Sequence, residues 1–143
     1  MTRENTIFEI LMSRVATQST GLPVVYPGLV YPDESRGETR AQDYILVSHT
    51  PNRPERGGIN PEDRGSHKFR GFLTLSVMTR IGVGNSEAAE LSGELISHFP
   101  ADLRLSDGEV ILRVVQEPYA TQGYRDGDRW RTPVVVEYDT IAA

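Results

Sequence analysis

The chain of 143 residues contains no cysteine. That excludes a disulfide framework, a thiolate nucleophile and every cysteine metal site. Lysine is almost as scarce. Lys68 stands alone, and the other fourteen basic residues are arginine, so a G-x-x-x-x-G-K-[ST] phosphate loop is ruled out. Long apolar runs are missing too, and no segment reads as a membrane-spanning helix. The opening stretch, MTRENTIFEILMSR, lacks the apolar core of a signal peptide, so synthesis in the cytoplasm is expected. Histidine is limited to His49, His67 and His98, none in the H-x-x-x-H or H-E-x-x-H spacing that places two imidazoles on one metal.

What is present is ordinary for a soluble globular protein, with 38% hydrophobic and 24% charged residues. A chain of this length is expected to form one domain over residues 1–143, burying roughly two-thirds of its unfolded surface. The net charge of −5 makes bulk attraction to nucleic acid unexpected. The charge is uneven, however. Residues 50–70 carry Arg53, Arg56, Arg64, Lys68 and Arg70 against Glu55, Glu62 and Asp63.

Hydrophobic spacing sets out the elements. Ile7, Leu11 and Val15 recur at helical spacing, with Phe8 and Met12 beside them, and predict a helix over 3–18. Thr2 is a candidate cap, and Gly21 with Pro23 ends the element. Residues 24–32 (VVYPGLVYP) are apolar but interrupted by Pro27 and Pro32, which confines them to an edge strand or extended segment. Residues 33–42 read as a loop and 43–49 as a strand. TPNRPERGGINPEDRGSH (50–67) offers little to bury and reads as a long mobile loop tipping a hairpin. Clean alternation returns over 68–81, with Phe69, Gly71, Leu73, Leu75 and Val77 on one face and Phe72 and Met78 interrupting the polar one. A second helix is predicted over 86–99, capped by Asn85 or Ser86 and stopped by Pro100. Its buried stripe is Ala88, Leu91, Leu95 and Phe99, beside an acidic stripe of Glu87, Glu90 and Glu94. Ser106-Asp107-Gly108 turns a hairpin between 103–105 and 109–116. Residues 118–128 read as a loop. A last strand follows over 130–138, where Pro133 signals an edge or a bulge. The fold class expected is α+β: a mixed, largely antiparallel sheet with two main helices packed on one face.

Chemistry is harder to find. His49-Thr50 is half of a two-histidine phosphoesterase pattern whose second half is absent. Asp126-Gly127-Asp128 resembles part of a calcium loop but lacks the terminal bidentate Glu, and with Asp107 these carboxylates read as turn formers. Gly82-Val83-Gly84 precedes a helix without the third glycine of a dinucleotide fingerprint. No G-x-S-x-G elbow occurs. Catalytic residues, metal and cofactor are all expected to be absent. The basic stretch 50–70 stays open between a solvated loop, a protein–protein arm that orders on assembly, and a nucleic-acid contact.

One ordered pattern remains. Arg70, Gly71, Phe72, Leu73, Leu75 and Val77 open a strand. Ala89, Leu91, Ile96, Phe99 and Pro100 carry a helix ending in F-P. Asp126, Gly127, Trp130, Pro133, Val134, Val136 and Tyr138 close the chain as D-G-x-x-W-x-x-P-V-x-V-x-Y. This order resembles the tail terminator (tail completion) proteins of long-tailed, lambda-like phages and prophages over most of the chain, excluding about 50–67. The resemblance implies a non-enzymatic virion protein at the head–tail junction, made in the bacterial cytoplasm. It implies a homohexameric ring that caps the tail tube, ends its polymerisation and offers a surface to the head-completion (stopper) protein. DNA passes through the lumen without specific binding, and no membrane is involved. On this reading Arg53, Arg56, Arg64, Lys68 and Arg70 are candidate protein contacts. An edge strand at 24–32 or 130–138 is a candidate for pairing between subunits, with Val24, Val25, Tyr26, Val30 and Tyr31 named first. The alternatives are a head–tail stopper or tail tube protein of the same machine and, from a different class, a small metal-dependent enzyme or accessory protein.

Overall fold

The computed structural model describes residues 3–28, 43–56, 67–82, 85–107 and 110–142. Helix α1 spans Arg3–Ala16 and helix α2 spans Asn85–His98. The strands are β1 (Val24–Val25), β2 (Tyr44–Arg56), β3 (His67–Arg80), β4 (Arg104–Ser106), β5 (Val110–Val114), β6 (Tyr119–Ala120), β7 (Tyr124–Asp126) and β8 (Arg129–Ala142). They form one sheet in the order β1-β2-β3-β8-β5-β4, with β6 and β7 also paired to β8. Only β1 against β2 is parallel. The molecule is therefore α+β, as the element order implied.

Both helices lie on one face of this sheet because every element directs its apolar stripe there. Leu73, Leu75 and Val77 of β3 join Val134, Val136 and Tyr138 of β8, Ile45 and Val47 of β2, and Leu112 and Val114 of β5. Alternation is strict, so the register Leu75↔Val134, Leu73↔Val136 sets apolar side chains opposite one another across the ladder. From above, α1 contributes Ile7, Leu11 and Val15, and α2 contributes Leu95 and Phe99, all buried. Met12 is buried as its place in the stripe implied, and the stripe of α1 is wider than its helical spacing alone showed, since Ile10 is buried too. The helix stops at Ala16, two residues early, where Thr17 N–H and hydroxyl both donate to the Arg14 carbonyl. The two helices are latched at their C-terminal ends. Arg14 donates from Nε and Nη2 to the His98 carbonyl at 3.1 and 2.8 Å, while His98 Nε2 lies 2.8 Å from the Arg14 carbonyl and 2.9 Å from Thr17 Oγ1.

Three expectations are corrected. The strand expected over 43–49 continues to Arg56, and β3 starts at His67, so only 57–66 of the expected loop remains, outside the described residues. Pro51 and Pro54 are accommodated by a register shift between them, where β2 carries one extra residue against β3. Secondly, 118–128 is not a plain loop, since β6 and β7 within it both pair with β8. Thirdly, β8 is central rather than an edge. It pairs with β3 along its length and with β7, β6 and β5 in turn on its other side. Pro133 fits there because its carbonyl accepts from Thr121 N–H at 2.9 Å on the β6 side. Its missing N–H points the same way, into the gap where β6 has ended and β7 has not begun. The hairpin around Asp107 forms as expected, with Asp107 N–H donating to the Val110 carbonyl, although residues 108–109 lie outside the description.

Candidate assembly surfaces

The sheet leaves two kinds of edge open. β1 covers only Ile45 and Leu46 of β2, and the rest of that edge, Val47 to Arg56, has no strand partner among the described residues. On the other side, β4 is three residues long, and the outer edges of β6 and β7 are likewise unpaired by described strands. The candidate pairing edge is shorter than the sequence indicated. Val24 and Val25 form β1, Tyr26 lies half-buried just past it, and Val30 and Tyr31 fall outside the described residues.

The candidate basic contacts gather at one end of the sheet. Arg53 and Arg56 lie in β2 and Lys68 in β3, in the register Glu55↔Lys68 and Arg56↔His67; the description covers only their backbone. Arg64 lies outside the described residues. Arg70 is exposed on the helix-free face and sits opposite Asp139 of β8, which in turn sits opposite Arg113 of β5 and, one strand further, Arg104 of β4. Asp139 is buried and accepts from Arg113 Nη2 at 3.0 Å. Arg113 also lies 4.0 Å from Asp102, so two carboxylates stand beside the central arginine of this row. Composition alone did not reveal this row, because its members are brought together only by register.

Near that end, on the helix side, the space is filled. The Tyr138 ring lies across Gly71, and a Cβ at Gly71 would collide with the phenol and touch the Thr50 carbonyl at 3.0 Å. Only glycine leaves that room. The Tyr138 hydroxyl is hydrogen-bonded to His49 Nε2, the two rings stack at 5.7 Å, and Phe8 tilts against His49 at 6.2 Å. Burial pushes the His49 imidazole below its usual 6.5 and pushes the Tyr138 phenol up to about 12. Both are neutral at pH 7. His49 is thus engaged in packing, which answers the half-motif His49-Thr50.

The opposite end of β8 repeats the device and leaves it open. Trp130 lies against Gly123, where a Cβ would collide with the indole. Between α2 and the β6–β8 region runs a groove of about 470 Å³. Its helix wall is Ala88, Ala89, Ser92, Gly93 and Ile96, and its other wall includes Ala120, Gln122, Gly123, Trp130 and Thr132. Thr132 is nine-tenths buried, and its hydroxyl has no hydrogen-bond partner among the described residues. Thr79, its diagonal neighbour across the ladder, is buried and unpartnered as well. Buried hydroxyls are nearly always satisfied, so these two neighbouring exceptions stand out, one of them, Thr132, on the groove wall. The sequence offered one overlooked signal for it: small residues at 88, 89, 92 and 93 broaden one flank of α2 beyond its buried stripe.

Among the described residues no three of His, Asp and Glu gather as a metal site. Asp126 is paired with Arg131 at 3.0 Å, and Gly127 takes a positive φ of 64°, the geometry of a turn. No helix of the described residues is long and apolar enough to cross a membrane.

Curled sheet, two helices on one face and open edges define a compact class of α+β subunit. A solved structure superimposes on 100% of this chain and 99% of its own with a TM-score of 0.76 at 20% identity, a likeness of fold. No curated protein matches the sequence. The model of the phage tail terminator protein family matches residues 6–138, and the chain belongs to that family. Its members are structural, non-enzymatic virion proteins of the phage tail, where their role is to cap the tail tube.

Proposed function

We propose that this chain closes into a homohexameric ring on the finished tail tube, ends tube polymerisation and presents the surface that joins tail to head. The family match over residues 6–138 carries this reading. The β2 edge beyond Leu46 and the short β6–β7 edge, neither covered by another strand among the described residues, support it, since a heterologous contact between unlike edges closes into a ring when the rotation is right. On this reading Arg53, Arg56, Arg64, Lys68 and Arg70 are the contacts to tube or head-completion protein, and Val24, Val25, Tyr26, Val30 and Tyr31 are the residues proposed for pairing between subunits. The chain's net charge of −5 opposes adhesion of DNA passing through the lumen. Light scattering and negative-stain imaging test the proposal, with purified chain alone and with tail tubes. Hexameric rings, free or on tube ends, are expected. A chain that stays monomeric under both conditions and leaves tube growth unchanged removes the reading.

A further inference from the structure

At the Trp130 end of the sheet two arginines face each other. Arg80, the last residue of β3, sits directly opposite Arg129, the first of β8. Like charges in that position repel. The Asp43 carboxylate, at the entrance to β2, is within reach of both. Its Oδ1 accepts from the Arg80 backbone N–H at 3.2 Å and from Arg129 Nη1 at 3.4 Å, with Arg80 Nε 3.8 Å away. The Arg80 side chain is mostly exposed, so water screens its share of the contact. Asp43 and Arg129 are another matter, since each of their side chains is only 8% exposed. The Arg129 guanidinium also lies 5.5 Å from the centre of the Tyr44 ring, which suits a cation on an aromatic face.

We propose that Asp43 is a clasp that holds the start of β8, and with it the Trp130 wall of the groove, against the rest of the sheet. Three observations converge on it. β2 and β8 are not neighbours, because β3 lies between them. From β2 the one carboxylate reaches β3 through a backbone amide and β8 through a guanidinium, so it ties three strands that the ladders join only in pairs. The end it holds has little apolar cover on its outer side. All three residues of β7 are exposed, as are Gly127 and Asp128 of the turn into β8, so charge supplies there what packing does not. Arg129 directly precedes Trp130, whose indole lies over Gly123, and Thr132 follows two residues on. If the start of β8 moves, that wall moves. Asp43 is thus a positioning residue that acts on the groove through Arg129, and the clasp works with or without ring formation.

Trp130 is the chain's only tryptophan, so its fluorescence reports this wall directly. Asp43→Asn keeps an acceptor for the Arg80 N–H and removes the charge. In native buffer, with far-UV circular dichroism unchanged, it is expected to raise the acrylamide quenching constant of Trp130 about twofold through local opening. Arg129→Met alone lowers the folding equilibrium constant by about 100-fold or more, the scale for stranding a buried charge. In the Asp43→Asn background the same substitution costs less than about threefold, because the two sites are coupled, and Trp130 quenching returns towards wild type. Arg129→Lys keeps the charge, and because the contact runs through one nitrogen it stays within about tenfold of wild type. Tyr138→Phe, at the far end of β8, is the control: it lowers global stability and leaves Trp130 quenching unchanged. Independent effects of the Asp43 and Arg129 substitutions, an Arg129→Lys chain as unstable as Arg129→Met, or wild-type quenching in Asp43→Asn overturns the clasp.

Discussion

Two aromatic residues on β8 close over two glycines, and the two ends differ in what surrounds them. Tyr138 over Gly71 has its hydroxyl bound by His49 and its ring flanked by further packing. Trp130 over Gly123 borders an open groove lined by Thr132, whose buried hydroxyl, like that of Thr79 beside it, has no hydrogen-bond partner among the described residues. One end is complete within a single chain. The other holds two buried hydroxyls with no hydrogen-bond partner among the described residues.

The comparison breaks most visibly if large truncations at the two ends cost the same. Tyr138→Ala is expected to destabilise by about 3–5 kcal/mol, the range for a buried aromatic, and Trp130→Ala by clearly less, because Trp130 is only half-buried. Urea denaturation of both variants measures the difference. Gly71→Ala comes next. Its new methyl meets the Tyr138 phenol, and a loss of about 1–3 kcal/mol follows from overpacking. The hydroxyls give the sharpest contrast, because the sign changes. Tyr138→Phe leaves His49 unpaired and costs about 1–3 kcal/mol. Thr132→Val replaces an unsatisfied hydroxyl by a methyl of similar shape and raises stability by about 1 kcal/mol. A Thr132→Val monomer less stable than wild type would contradict the reading of that wall.

The smallest effect is in pH. His49 has its folded pKa lowered below 6.5 by burial. Between that lowered value and 6.5 the unfolded chain binds the extra proton, so stability declines as pH falls below about 6.5 and levels off once the folded imidazole is also protonated. His49→Gln should flatten that slope in melting curves taken from pH 7.5 to 5. An unchanged slope assigns the effect elsewhere.

Much of the fold was legible because its signals are local. The alternation of β3 and β8, the apolar stripes of both helices and the D-G turn at Asp107 each follow from neighbouring residues. What was missed depends on distant partners. β6 and β7 are two and three residues long, too short to show a period, and exist because β8 offers an edge. β2 crosses two prolines because β3 holds it through a bulge. Pro133 read as an edge marker, yet it is central, because the strand beside it ends at that point. The groove is less legible still. Ala88, Gly123 and Thr132 are unremarkable where they stand, and whether a hydroxyl is satisfied is decided only by packing. The basic residues at 53–70 were visible, but the row that joins Arg70 to Arg113 and Arg104 through Asp139 was not.

The central place of β8 also sets a schedule for synthesis. Every strand it pairs with leaves the ribosome before it does, and β5, β6 and β7 reach the sheet only through it. Such non-local pairing is slow to form. Until residues 129–142 emerge, Thr132 and Trp130 do not exist, the groove has one wall, and the β6–β7 edge is not held in any sheet. A nascent chain on a polysome therefore holds β5, β6 and β7 outside the sheet until β8 is complete.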